Sequence, residues 1–209
     1  HVEKALELTE KQKAVIVPES SGAEDSYFDD AIFIGDSRTE GFRMHSGIGE
    51  TGASFLTKVG MSVDWVCSED ESRFLVIKNQ EQPMNVISAL ALKQYGKVYI
   101  SLGINETGWM SDEEFASYYR EFLTRVKEEQ PNAVIYLQGI IHVTQARSDQ
   151  GVNTNRRVNE LNSVIMDLAS EFQVHYLDLN EVMTNENGHL FAYGAANDGV
   201  HLTKSFYEL

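Results

Sequence analysis

Ala31-Ile-Phe-Ile-Gly-Asp-Ser-Arg38 is a short apolar run that halts at Gly35 and passes directly into polar residues. A run of this length closed by a glycine reads as a buried strand, and Thr39 to His45 after it reads as a helix. The same alternation continues outward. Ser54 to Val59 is a weaker strand candidate, and Arg73 to Ile77 is a short strand or a loop insertion. Pro83 to Tyr95 has the proline start and glycine stop of a helix, with Gly96 just beyond it. Lys97 to Leu102 is a strand that ends at Gly103. Ser111 and Glu114 have the spacing of a capping box, which opens a helix running to Gln130 before Pro131. Ala133 to Leu137 is the next strand. Val152 to Phe172 is a long helix with Val158, Leu161, Ile165 and Leu168 on one face. Val174 to Leu177 is the last strand, and Thr203 to Leu209 starts a further helix.

Strands alternating with helices predict βαβ units and a parallel sheet, with right-handed crossovers placing helices on both faces. Such a sheet binds ligands beyond the carboxyl ends of its strands. That singles out Gly35 to Arg38, Gly60, Gly103 to Glu106, and Gln138 to His142. A chain of 209 residues forms one domain, here 27–209, preceded by a polar arm or stalk at 1–26 within which Glu3 to Val15 reads as a loose helix. Apolar residues at 42% and charged residues at 23% exclude a disordered chain. The net charge of −15 repels nucleic acid and anionic membrane surfaces, so neither is an expected partner. The lone Cys67 excludes an internal disulfide and a cysteine zinc cluster. No stretch is apolar for the ~18–20 residues a bilayer span requires. The start at His1 suggests that a leader or anchor has been removed, which points outside the cytoplasm, and a further tail is expected beyond Leu209.

Ser37 stands at a strand-to-helix turn, where a hydroxyl rises above the sheet edge towards the N–H groups of the following helix. That suits a nucleophile, because a developing oxyanion meets backbone donors there; a plain N-cap serine is the other reading. In Asn197-Asp-Gly-Val-His201, Asp198 lies three residues before His201, close enough for its carboxylate to orient the imidazole. An Asp-Gly turn with an exposed histidine is the alternative. Asn105 is either a side-chain oxyanion donor or a turn residue after Gly103.

Together these residues resemble the SGNH hydrolases, also called the GDSL family. The family's blocks occur in order as Gly35-Asp-Ser37, Gly60, Gly103-Ile-Asn105, and Asp198 with His201. The resemblance implies a three-layer α/β/α sandwich with a flavodoxin-like parallel sheet of about five strands. It implies Ser37 as nucleophile, His201 as general base and acid, and Asp198 as its orienting partner. The oxyanion hole would be the amides of Ser37 and Gly60 with Asn105. Two positions depart from the family pattern. Glu106 replaces its usual aspartate and either supports the loop or points elsewhere. Arg38 replaces its usual aliphatic residue and either binds an acidic substrate group or pairs with a carboxylate.

Trp109 follows the Asn105 loop and is a candidate cleft wall. His142 follows a strand end and either lines the cleft or is a satisfied structural histidine. Gly47-Ile-Gly-Glu-Thr-Gly52 has the spacing of a dinucleotide fingerprint, but it lacks the preceding strand and following helix. The histidines show no H-x-x-x-H pair, so neither metal nor cofactor is expected. The expected activity is a serine esterase removing short O-acyl groups, acetyl first, from carbohydrate or cell-envelope material. An O-acyltransferase and an idle glycan-binding module are the alternatives, and the oligomeric state is open.

Overall fold

The computed structural model describes residues 7–209. Five parallel strands form one sheet in the order β2-β1-β3-β4-β5. They are β1 (Ala31–Gly35), β2 (Ser54–Thr57), β3 (Lys97–Ser101), β4 (Val134–Gln138) and β5 (His175–Leu177). Ile34 pairs with Leu56 on one side and Ile100 on the other, and Ile100 pairs with Leu137. The helices are α1 (Glu10–Lys13), α2 (Ser37–His45), α3 (Val86–Leu90), α4 (Asp112–Glu129), α5 (Gln145–Ser148), α6 (Asn155–Phe172), α7 (Asn180–Met183) and α8 (Lys204–Tyr207).

The two-residue period of β1 divides the core. Ile32 and Ile34 belong to the larger cluster with residues of α3, α4 and α6, whereas Ala31 and Phe33 face Phe42 of α2. On that second face Phe55, Phe33, Tyr99 and Tyr136 stack across four strands, with ring centroids 4.7–5.1 Å apart. On α4, Phe115, Tyr119, Phe122, Leu123 and Val126 are fully buried. Full burial of one such side chain contributes roughly 1.5–3 kcal/mol. The Ser111–Glu114 capping box, present as expected, adds about 1 kcal/mol. Packing therefore holds the helix, and the cap sets where it starts.

Several elements differ from the sequence reading. The helix expected over Pro83 to Tyr95 is only Val86–Leu90, capped by Asn85. Gln130 ends it: its Nε2 donates to Leu90 O at 2.9 Å and Lys93 O at 2.8 Å, and its Oε1 accepts the Tyr95 N–H. The helix expected from Val152 begins at Asn155, where Thr154 caps it. Around Arg73 to Ile77, a 3-10 turn (Glu71–Arg73) leads to an isolated bridge between Leu75 and Met84. In the N-terminal segment, the helical part within the described residues is α1. Gln12 is buried there against Ser163 and Asp167 of α6, and Ile16 pairs in parallel with Tyr176 at the edge of β5. Residues 9–17 are thus docked on the domain, while Glu3 to Leu6 lie outside the described residues.

The strand order carries the functional consequence. After β1 the chain steps outward to β2, then returns across β1 to β3. The connections from β1 and β3 therefore leave in opposite directions and open a crevice at their carboxyl ends. Ser37 and Asn105 stand at the two sides of it.

Candidate active site

β1 ends at Gly35 because nothing larger fits: a Cβ there would collide with Thr39 Oγ1 and Ser101 O. Asp36 then caps α2, its Oδ1 accepting the Arg38 N–H at 2.8 Å. Ser37 is consequently the first helical residue and not the cap, so its hydroxyl is left free for other partners. Its Oγ lies 2.7 Å from His201 Nε2. His201 Nδ1 lies 2.5 Å from Asp198 Oδ2, and Asp198 Oδ1 accepts the N–H groups of Val200 and His201, each at 2.9 Å.

Partial burial raises the Asp198 pKa, but the His201 side chain and the two backbone N–H groups outweigh it and hold the carboxyl at about 2. Asp198 is then a carboxylate at working pH and accepts from Nδ1. That leaves Nε2 as an acceptor for the Ser37 hydroxyl proton. Three side chains separated by up to 164 residues thus form one directed proton path.

Gly60 has φ +79°, a left-handed conformation that disfavours any side chain. Its N–H and that of Ser37 donate to no protein acceptor among the described residues. Asn105 Nδ2 donates to Met61 O at 2.9 Å and lies 3.4 Å from Asp36 Oδ2. The structure thus brings Asn105 to the site with one amide hydrogen engaged and the other on a long contact. Trp109, 62% exposed, donates its indole N–H to Asn105 O at 2.8 Å and so stands at the rim.

Glu106 is fully buried, and its Oε1 accepts the Val63 N–H at 2.6 Å. It supports the loop that carries Gly60. Burial pushes its pKa up to about 8, the Val63 bond opposes this, and the Asp36 and Asp64 charges add to it. Its Oε2 has no partner among the described residues.

Two candidate substrate contacts are placed elsewhere. Arg38 is buried and bonds main-chain carbonyls of Ile141, His142 and Val200, so it meets neither substrate nor a carboxylate. His142 is buried with Nδ1 2.5 Å from Gly188 O and Nε2 2.7 Å from Asn159 Oδ1. Both ring nitrogens face polar partners inside the fold, which places it in a structural role. The role of Asp36 as helix cap and Asn105 neighbour escaped the sequence reading, although an aspartate immediately before a helix is a cap signal. Among the described residues, no group of three His, Cys, Asp or Glu side chains is placed to hold a metal ion.

A family model described as the GDSL-like lipase/acylhydrolase family matches residues 33–209. The chain belongs to that family. This GDSL-like protein is accordingly an SGNH-type hydrolase with esterase activity. No curated protein matches it in sequence. Among solved structures, a Streptococcus pneumonia protein described as a platelet activating factor is 19% identical, with 88% of this chain and 84% of that chain covered and a TM-score of 0.66. A GDSL-like lipase from Bacteroides thetaiotaomicron is 14% identical, with coverage of 94% and 88% and a TM-score of 0.61. A peptidoglycan O-acetylesterase is 16% identical over 76% of this chain and 43% of that chain, with a TM-score of 0.56. At these identities the likeness is one of fold. No helix among the described residues of this GDSL-like hydrolase is long and apolar enough to cross a membrane.

Proposed function

We propose that this hydrolase removes short O-acyl groups, acetyl first, from carbohydrate or cell-envelope material through an acyl-enzyme on Ser37. The observation that carries the mechanism is the unbroken chain from Ser37 Oγ through His201 to Asp198. Ser37 Oγ attacks the acyl carbonyl carbon while His201 Nε2 takes its proton and Asp198 stabilises the imidazolium. The carbonyl oxygen gains the negative charge and lies against the N–H groups of Ser37 and Gly60. The Asn105 amide joins them by exchanging its long contact with Asp36 for a charge-assisted one. Collapse breaks the ester C–O bond, and the leaving alkoxide takes the proton from His201. Water then repeats the sequence on the acyl-enzyme and releases the acid.

Short acyl groups are favoured because the apolar side chains are already committed. The buried apolar side chains of β1, β3 and β4 belong to the core clusters on the two faces of the sheet, which leaves them unavailable to a tunnel beside Ser37. A long chain would forgo about 0.8 kcal/mol per methylene left in water. The carbohydrate reading is supported by Trp109, an exposed indole held beside Asn105, since a ring face suits the C–H face of a sugar. A hollow of about 580 Å³ reaches from Thr107 and Gly108, which immediately precede Trp109 in the chain, to Val152 and Arg156.

The test has two arms. kcat/KM is measured on aryl esters of two to twelve carbons, and acetate release is measured on O-acetylated glycans with wild type and Trp109→Ala. The expected results are a maximum at two or three carbons and a raised KM in Trp109→Ala on glycans alone. A maximum at eight or more carbons overturns the short-acyl reading. Acyl transfer to sugar hydroxyls in place of acetate release would make the enzyme a transferase.

A further inference from the structure

Arg38 follows Ser37 directly, yet only 6% of its surface is exposed. A guanidinium taken out of water needs compensation, usually from a carboxylate. Arg38 finds it in main-chain carbonyls instead. Nε and Nη2 donate to Val200 O at 3.0 and 2.7 Å, Nη1 donates to Ile141 O at 2.6 Å, and Nη2 reaches His142 O at 3.4 Å. Burial pulls the Arg38 pKa down, and the nearby Asp36, Tyr207 and Asp198 side chains oppose it. An arginine stays charged even so.

The positions of those carbonyls matter more than their number. Ile141 and His142 belong to the connection after β4. Val200 is the residue immediately before His201. The turn bearing Asp198 and His201 is exposed at Asn197 and Asp198 and has few other ties to the domain. One is the Thr144 N–H donating to Gly199 O at 3.0 Å, and another is Leu202, which packs in a third apolar cluster with Ile141, Leu190, Phe206 and Tyr207. The Leu202 cluster reaches α2 only through Phe42, beyond the helix's first turn. Arg38 ties the turn to the start of α2, and it is the residue after the one whose hydroxyl must stay 2.7 Å from His201.

We infer that Arg38 is a positioning residue for the base: its guanidinium clamps the Asp198–His201 turn to the start of α2, so that His201 is held in register with Ser37. The inference rests on the serine-hydrolase reading of the site. Only a planar fork reaches Val200 O with two donors while a third meets Ile141 O. A lysine keeps the charge but presents a single point of contact.

Arg38→Lys and Arg38→Ala test this in the otherwise intact chain. With fold confirmed by thermal melting, kcat on an aryl acetate should fall roughly 10–100-fold, the scale for a reacting group displaced by about 1 Å, while KM moves less than about twofold. Amide exchange across 196–202 should rise about tenfold with exchange in β3 and α4 unchanged. Added guanidinium ion should restore kcat in Arg38→Ala saturably and leave His201→Ala inactive. A folded variant with unaltered kcat and unaltered exchange overturns the inference. So does activity that falls only in step with the folded fraction and is not rescued by guanidinium. Failure of wild type to label at Ser37 with a fluorophosphonate would instead defeat the serine-hydrolase reading, and the exchange measurement would still decide whether Arg38 holds the turn.

Discussion

Asn105 Nδ2 donates to Met61 O and sits 3.4 Å from Asp36 Oδ2, so its amide is braced before any substrate arrives. A braced donor loses little freedom when the oxyanion forms, which is why such donors act on the transition state more than on binding. Asn105→Ala should lower kcat by roughly 10²–10³-fold with KM little changed. Steady-state kinetics on an aryl acetate check this, and a raised KM with unchanged kcat would make Asn105 a substrate contact. The same brace explains why Asp36 is buried. It caps α2 through one oxygen and faces Asn105 with the other, joining the two sides of the crevice.

At the scale of elements, the 3-10 turn Ile104–Glu106 carries two side chains with opposite tasks. Asn105 faces the crevice, and Glu106 turns inward to hold Val63. Because burial raises the Glu106 pKa to about 8, the folded state keeps a proton that the unfolded chain releases above its ordinary value of about 4.3. The unfolded state then binds fewer protons across this range. Stability falls as pH rises from about 4.3 to about 8, by up to about 1.4 kcal/mol per pH unit from this group. Glu106→Gln keeps the acceptor for Val63 and removes the ionisation. Its stability relative to wild type should climb between pH 5 and pH 8 in urea titrations. Parallel stability curves for the two proteins would mean that Glu106 is ionised in the fold.

Across the whole molecule, the sheet has one edge open at β2 and the other occupied by the N-terminal segment. Tyr176 accepts from the Val17 N–H at 2.9 Å and donates to Val15 O at 2.8 Å, which extends β5 by one short parallel pairing. Gln12 locks that segment down, its Nε2 donating to Ser163 Oγ at 3.0 Å and Asp167 Oδ1 at 2.9 Å. Each such bond contributes about 1 kcal/mol net, and a buried group left unpaired costs more. Gln12→Ala should therefore destabilise the protein by roughly 1–3 kcal/mol, seen as a lower Tm, with kcat on aryl acetates unchanged because α1 packs on α6, away from the crevice. An unchanged Tm would show that the pairing of Ile16 with Tyr176 suffices by itself.

The strands, the long helices and the Asp198–His201 pair were legible in the sequence because each is written in local spacing. A buried strand is a short apolar run, a capping box spans three residues, and Asp198 reaches His201 within one turn. The order of the four blocks then identified Ser37, although 164 residues separate it from His201. What only the tertiary structure decided is how polar side chains pair over distance. Gln130 cuts α3 short from 40 residues away, Gln12 docks on α6, and Arg38 grips Val200 across 162 residues. In the pairings of Gln130 and Arg38 the acceptor is a main-chain carbonyl. Every residue carries one, so no pattern of residue types marks which carbonyl will be met. The sequence supplies the donor, and only the packing of distant segments selects its partner.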